Sequence, residues 1–242
     1  ELWNLWAFEE KKIDFRKEKK LAERCTLAFA AYELKHFLDK SDPDIDISVV
    51  EKPPVNAKFI ELQIFDEQNG AAFELIPCQQ GITLLGYGRN GIINAAYELL
   101  RLRGWRWLEP GPYGESPPED KSFNWPLEKI KYKPSFYYRA MDAYRTSNDS
   151  KTLLLWMARN RCNVYFRKEA TAALCDKLAM YSRYGGHLLQ KMLQPDNLLP
   201  NGKNIWEGHR EWFGKVNGKL ISKKLATDTQ LCLAHDSLFE YL

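Results

Sequence analysis

At 242 residues, 45% of them apolar, the chain is long enough for one large domain or two modest ones and can build a well-buried core. Its 35 basic residues stand against 32 acidic ones, a net charge of +3, which gives no case for nucleic acid or a membrane surface as partner, and no apolar run is long enough for a membrane span. Five scattered cysteines (Cys25, Cys78, Cys162, Cys175, Cys232) without a C-x-x-C pair and four histidines (His36, His187, His209, His235) without ligand spacing speak against a disulfide framework and a metal site, and buried free thiols are expected.

In chain order, residues 2–8 read as a strand and 18–39 as a long helix. In that helix Leu21, Cys25, Ala28, Phe29 and Tyr32 form one apolar stripe, and Leu27, Ala31, Leu34 and Leu38 a second, a face wide enough to be buried against a sheet. Asp42-Pro43-Asp44 is a turn, and Ile45–Val50 reads as a short strand. Ile60, Leu62 and Ile64 alternate with Glu61 and Gln63, the period of a strand over 59–65; further strands are expected at 73–76 and 82–85. Residues 90–103 carry Ile93, Ala96, Tyr97 and Leu100 on one helical face. Strands clustered between two long helices predict an α/β domain over 1–108 with a mixed sheet.

Half of the twelve prolines fall in 109–134 (Pro110, Pro112, Pro117, Pro118, Pro126, Pro134), a density that predicts a linker over 109–133 without regular structure. Beyond it, strand and helix alternate: a strand at Phe136–Asp142, a helix at Ser150–Arg159, a strand at Cys162–Arg167 and a second helix over 169–183. Repeated β-α units predict a parallel sheet or barrel over 134–242.

The most informative segment is the glycine turn Gly86-Tyr87-Gly88-Arg89-Asn90-Gly91, which follows an apolar strand and opens a helix. Gly86, Gly88 and Gly91 have the spacing of a dinucleotide fingerprint, which would make the chain an NAD(P)- or FAD-dependent oxidoreductase, with Glu109 standing about where the ribose-binding acid belongs. Tyr87 and Arg89 are bulky where a pyrophosphate needs close backbone approach, and 80 residues of other structure precede the turn. The competing reading is a strand-to-helix turn that uses glycine only for its backbone freedom.

Two blocks favour the second reading by resemblance and leave the oxidoreductase as the alternative. The stretch from Gly91 through Gly104-Trp105-Arg106-Trp107 to Gly111, and the stretch from Pro134-Ser135-Phe136 through Arg139 and Asp142 to Arg145, resemble the join between the α/β accessory domain and the (β/α)8 barrel of family 20 β-hexosaminidases and family 67 α-glucuronidases. The second block continues to Trp156 and Asn163. Gly185-Gly186-His187, Glu211-Trp212-Phe213, Gly218-Lys219 and Gln230-Leu231-Cys232 are similar to elements of a large bacterial glycoside-hydrolase-like family with that layout.

The resemblance implies an α/β accessory domain followed by the first β-α units of a (β/α)8 barrel, expected to be incomplete and inactive as this chain alone. It implies a carbohydrate ligand, no cofactor, and a lean to the bacterial periplasm or secretion; homo-oligomerisation stays open, as does a non-catalytic carbohydrate-binding module. By the same resemblance Arg139 matches a sugar-binding arginine, although Ala140 stands where the family has glycine and Asp142 comes one residue early. His187 matches a histidine near the third barrel strand, and Trp206 and Trp212 are candidates for stacking on a sugar ring. Asp142 and Arg145 suit an ion pair. Catalysis would need two carboxylates, and Glu207, Glu211, Asp228 and Asp236 are candidates only as carboxylates. The chain begins at Glu1 rather than Met, which reads as a processed or trimmed product, and no signal peptide is visible.

Overall fold

Ile60, Leu62 and Ile64 do alternate inward, and the sheet they begin organises the first part of the molecule. The computed structural model describes residues 2–53, 55–65, 70–120, 126–141, 150–166, 169–183, 191–226 and 231–241. The chain forms two compact units, Glu1–Arg183 and Tyr184–Leu242.

In the first unit, α1 is Leu2–Trp6, α2 Lys19–Ser41, β1 Phe59–Phe65, β2 Phe73–Cys78, β3 Gly81–Tyr87 and α3 Arg89–Arg103. Strands β4 (Arg106–Trp107) and β5 (Glu115–Ser116) pair antiparallel, and β6 is Ile130–Tyr132. The main sheet has the order β1-β3-β2-β6, with β1 parallel to β3 and β2 antiparallel to both β3 and β6. It is the mixed sheet expected from the sequence, and α2 and α3 pack against each other and on it. Phe73, Leu75, Ile82 and Leu84 are buried from the sheet side, and Phe29, Leu34, Phe37, Ile92, Ala96 and Leu99 from the helices. Burial of each large side chain contributes about 1.5–3 kcal/mol. Helix α3 ends on Gly104, whose φ of 117° is left-handed; Gly104 N–H donates to Arg101 O and Trp105 N–H to Leu100 O, closing the last turn.

After the proline-rich segment come α4 (Ser150–Arg159), β7 (Val164–Phe166), α5 (Ala172–Lys177) and β8 (Tyr181–Arg183). Strands β7 and β8 are parallel, and Ala140 bridges Val164 in parallel on the other side. Three consecutive parallel positions are thus joined in sequence order, with α4 before β7 and α5 before β8. Leu154, Met157, Tyr165, Cys175 and Leu178 belong to the same continuous core as Leu84 and Phe29.

Several expectations need correction. Residues 2–6 are helical, not a strand, and 46–50 carry no regular element. A short apolar run does not by itself distinguish helix from strand. The proline-rich stretch is not free of structure: β5 and β6 lie in it, and Tyr132 stacks on Phe73 at 5.0 Å, bringing β6 onto the open edge of β2. Apart from these corrections, the first compact unit runs to Arg183, and Leu153, Leu154, Met157, Tyr165 and Leu174 share the core of the α/β layer. Of Phe136–Asp142 only Ala140 bridges another strand among the described residues. The helix expected over 169–183 stops at Lys177, because Ala179 turns to a φ of 50° and the chain re-enters as β8.

The second unit has its own small core of Leu193, Leu199, Ile205, Trp212, Phe213, Ile221 and Leu238. Its described strands, Lys215–Val216 and Lys219–Leu220, form a hairpin through Asn217 and Gly218, both with positive φ, a turn type that matches strand twist. No closed barrel is present among the described residues.

Candidate functional site

The glycine turn is built by close backbone packing. A Cβ on Gly86 would collide with the backbone nitrogen of Ile92, and one on Gly91 with the carbonyl oxygen of Ala72. Gly88 has a φ of 86°, and a Cβ there would stand 2.7 Å from the Gly70 Cα. The glycines therefore let β3, α3 and the chain at 70–72 touch, and Tyr87 N–H donates to Ala72 O across the same contact. The glycines are thus accounted for by backbone packing against Gly70, Ala72 and Ile92.

The first residues of α3 serve a second purpose. Arg89 Nη1 donates to the backbone oxygen of Asp176 at 2.6 Å, Asn90 Nδ2 to that of Leu178 at 3.0 Å, and Thr26 Oγ1 of α2 to that of Lys177 at 2.8 Å. These carbonyls lie at the C-terminal end of α5, where Asp176 O also accepts from Ala179 N–H at 3.1 Å, so side chains of α2 and α3 cap that helix. The buried Lys177 Nζ reaches back to Ala7 O and Glu10 Oε2, each at 3.0 Å, and lies over the Phe29 ring. Burial lowers the Lys177 ammonium below its usual range, against the pull of Glu10.

Beside this joint lies a cleft of about 500 Å³. One wall is Gly88–Asn90 with Ala71 and Ala72; the opposite wall is Tyr137, Asn163 and Tyr181. Asn163 and Tyr181 stand at the N-terminal ends of β7 and β8. Asn163 organises that wall: its Nδ2 donates to Tyr137 O at 2.9 Å, its Oδ1 accepts from Arg139 N–H at 2.8 Å, and its backbone oxygen accepts from Tyr181 N–H at 2.7 Å. The result brings the hydroxyls of Tyr137 and Tyr181 to 2.6 Å. Burial, and then the bond to Tyr137, raises the Tyr181 phenol. One hydroxyl donates to the other, which leaves one O–H of the pair to point outward. Tyr138 packs edge-on against both rings.

Charged lining is mixed: Lys19 and Lys133 together with the half-buried Arg89 face Glu23 and Asp176. Such a cleft offers donors, acceptors and aromatic surface at once, with little net field.

Of the candidate sugar-binding residues singled out in sequence, Arg139 is the described one in the first unit, and it does not line this cleft. Arg139 donates from Nε to Arg161 O at 2.7 Å and from Nη1 to Phe136 O at 2.9 Å, so two of its donor nitrogens strap backbone near the N-terminal end of β7. Its Nη2 is buried without an acceptor. Burial lowers the Arg139 guanidinium from its usual value. Trp206 lies in the second unit, half-buried against Phe213 at 5.2 Å with Arg210 over its ring at 4.9 Å. His187, Gly185-Gly186, Asp142, Arg145 and Asp228 lie outside the described residues. Glu207 and Asp236 are exposed, and Glu211 bonds His209 Nδ1 at 3.0 Å. Trp212 is fully buried and stacked on the His209 ring at 3.8 Å, its Nε1 donating to Ser237, so it is a core residue and not a sugar platform.

Among the described residues no group of three or more His, Cys, Asp or Glu side chains could hold a metal ion, and no helix is long and apolar enough to cross a membrane. Tyr137, Asn163 and Tyr181 were missed in sequence: Tyr181 fell in the helix expected over 169–183, and nothing local announces that Asn163 binds two segments. No family model matches the chain, and no curated protein or solved structure matches it.

Proposed function

We propose that the chain is part of a carbohydrate-active protein with the layout of a glycoside hydrolase, binding or acting on a sugar. The single observation that carries this reading is the run of sequential parallel β-α units, Ala140 to β7 to β8, docked through α4 and α5 on a mixed-sheet α/β layer. That is the local topology with which a β/α barrel begins, and it falls on the blocks in which the sequence resembles such enzymes. The exposed tyrosines of that segment add surface suited to sugar rings. The described carboxylates form no assigned acid pair, so the reading covers binding as well as hydrolysis.

A dinucleotide-dependent oxidoreductase is the poorer fit, because the glycines of the turn are spent on contacts with Gly70, Ala72 and Ile92. The test is a panel of methyl glycosides and oligosaccharides titrated against the chain by calorimetry, with NAD(P) and FAD as parallel titrants and aryl glycosides as turnover probes. Saturable sugar binding without dinucleotide binding is expected. Dinucleotide binding at micromolar concentration, with no sugar bound, would overturn the proposal.

A further inference from the structure

Resting on the carbohydrate reading, we infer that the cleft between the glycine turn and the Tyr137–Tyr181 wall is a binding site for a neutral hexopyranose. Its volume of about 500 Å³ lies within the range of roughly 300–1,000 Å³ usual for small-molecule sites.

The chemistry of the lining selects among ligands. A phosphate or other multiply charged anion would find Lys19, Lys133 and Arg89 but also the carboxylates of Glu23 and Asp176 in the same cleft. A sugar hydroxyl is donor and acceptor together, so it matches carboxylates, ammonium groups and phenols alike. Tyr137 and Tyr181 are 47% and 37% exposed, and their linked hydroxyls present one outward O–H beside apolar ring surface. A pyranose has that same pairing of polar edge and C–H face.

The site is also built before any ligand arrives. Asn163 fixes both tyrosine backbones, and Asn90 is held by Leu178 O and by Asn94 Nδ2, which donates to its Oδ1 at 3.2 Å. Rigid walls reduce the ordering cost of binding.

The experiment is calorimetric or ligand-observed NMR titration of the chain with methyl glycosides of neutral hexoses, with the corresponding methyl uronates alongside. It is repeated on Tyr181→Phe, Glu23→Ala and Lys133→Ala, each checked for fold by circular dichroism. Tyr181→Phe keeps the ring and should weaken neutral-hexose binding about five- to tenfold, and Glu23→Ala about tenfold or more. Lys133 is exposed, so its variant tests the cleft without threatening the fold. Sugar binding by the wild type that all three variants retain would overturn the placement and leave the carbohydrate reading standing. Absence of binding to every sugar tried would overturn both. Uronates binding more tightly than the neutral glycosides would overturn the assignment of ligand class.

Discussion

Arg89, the first residue of α3, donates to the backbone oxygen of Asp176 at 2.6 Å, 87 positions further along the chain. One side chain thereby closes the end of α5 and fixes the β-α segment on the α/β layer. Removing it leaves the Asp176 carbonyl with its backbone donor, Ala179 N–H at 3.1 Å, but without the charged one. Arg89→Met should cost about 1–3 kcal/mol in urea unfolding, and Thr26→Val, which loses the bond to Lys177 O, about 1 kcal/mol. Unchanged stability in both would show that the joint is held by apolar packing alone.

Gly88 and Gly111 occupy the same region of backbone space, φ 86° and ψ 173° against φ 96° and ψ 177°, which is essentially reserved for glycine. They differ in surroundings. Around Gly111 a Cβ would meet only the Thr152 methyl at 3.5 Å, whereas at Gly88 it would meet Gly70 Cα at 2.7 Å. Gly111→Ala should therefore lose the conformational term alone, about 1–3 kcal/mol. Gly88→Ala should lose more than that, and its midpoint in a denaturant series should lie below that of Gly111→Ala.

Arg159 lies between two carboxylates, with Nη2 3.1 Å from Glu33 Oε2 and Nη1 3.2 Å from Glu115 Oε1, and its guanidinium stands over the Phe37 ring. The Glu33 side chain is only 5% exposed. Arg159→Met strands that charge and should destabilise by about 3–5 kcal/mol. Adding Glu33→Gln should recover part of the loss. A double variant no more stable than Arg159→Met would assign the effect to the lost packing on Phe37.

Alkaline pH should act through Tyr97. Its phenol is buried and donates to Glu33 Oε2 at 2.9 Å; burial, then the Glu33 charge, holds it well above the usual 10.0. The folded value exceeds the unfolded one, so the associated stability is complete below about pH 10 and is lost as pH rises from there toward the folded value. Phenolate absorbance should show Tyr97 ionising only as the protein unfolds, and Tyr97→Phe should flatten the alkaline fall in stability. Ionisation of all twelve tyrosines in the folded state would contradict this.

Thiol reactivity separates the cysteines. Cys78 is exposed, Cys25 and Cys175 are buried, and burial pushes the Cys25 thiol up to about 11. At mildly alkaline pH a disulfide reagent should label Cys78 first, and Cys78→Ser should remove the fast phase. Cys25 and Cys175 should react only at the rate of unfolding; rapid labelling of either would mean that α2 or α5 opens readily.

Wherever burial repeats with a fixed period along one element, sequence alone was enough to find it. The alternation at Ile60, Leu62 and Ile64 specified β1, and the broad apolar face from Leu21 to Leu38 specified α2. The glycine turn was legible as a strand-to-helix junction, but its two readings differ only in what stands beside Gly88. The close approach of Gly70 and Ala72, which accounts for the glycines structurally, is recorded by no local pattern.

The remaining features depended on partners distant in sequence. Strand β6 is three residues in a proline-rich stretch, and it exists because β2 offers an open edge and Phe73 a ring to stack on. The helical pattern over 169–183 gave no sign of stopping at Lys177, since the groups that receive its end, Thr26, Arg89 and Asn90, belong to α2 and α3. Likewise the cleft wall comes from Asn163 bonding Tyr137 and Tyr181. Periodicity tells a residue which way to face, because that depends on its own element. Pairing, capping and cleft formation depend on which surfaces the folded chain brings together, and only the tertiary structure settles that.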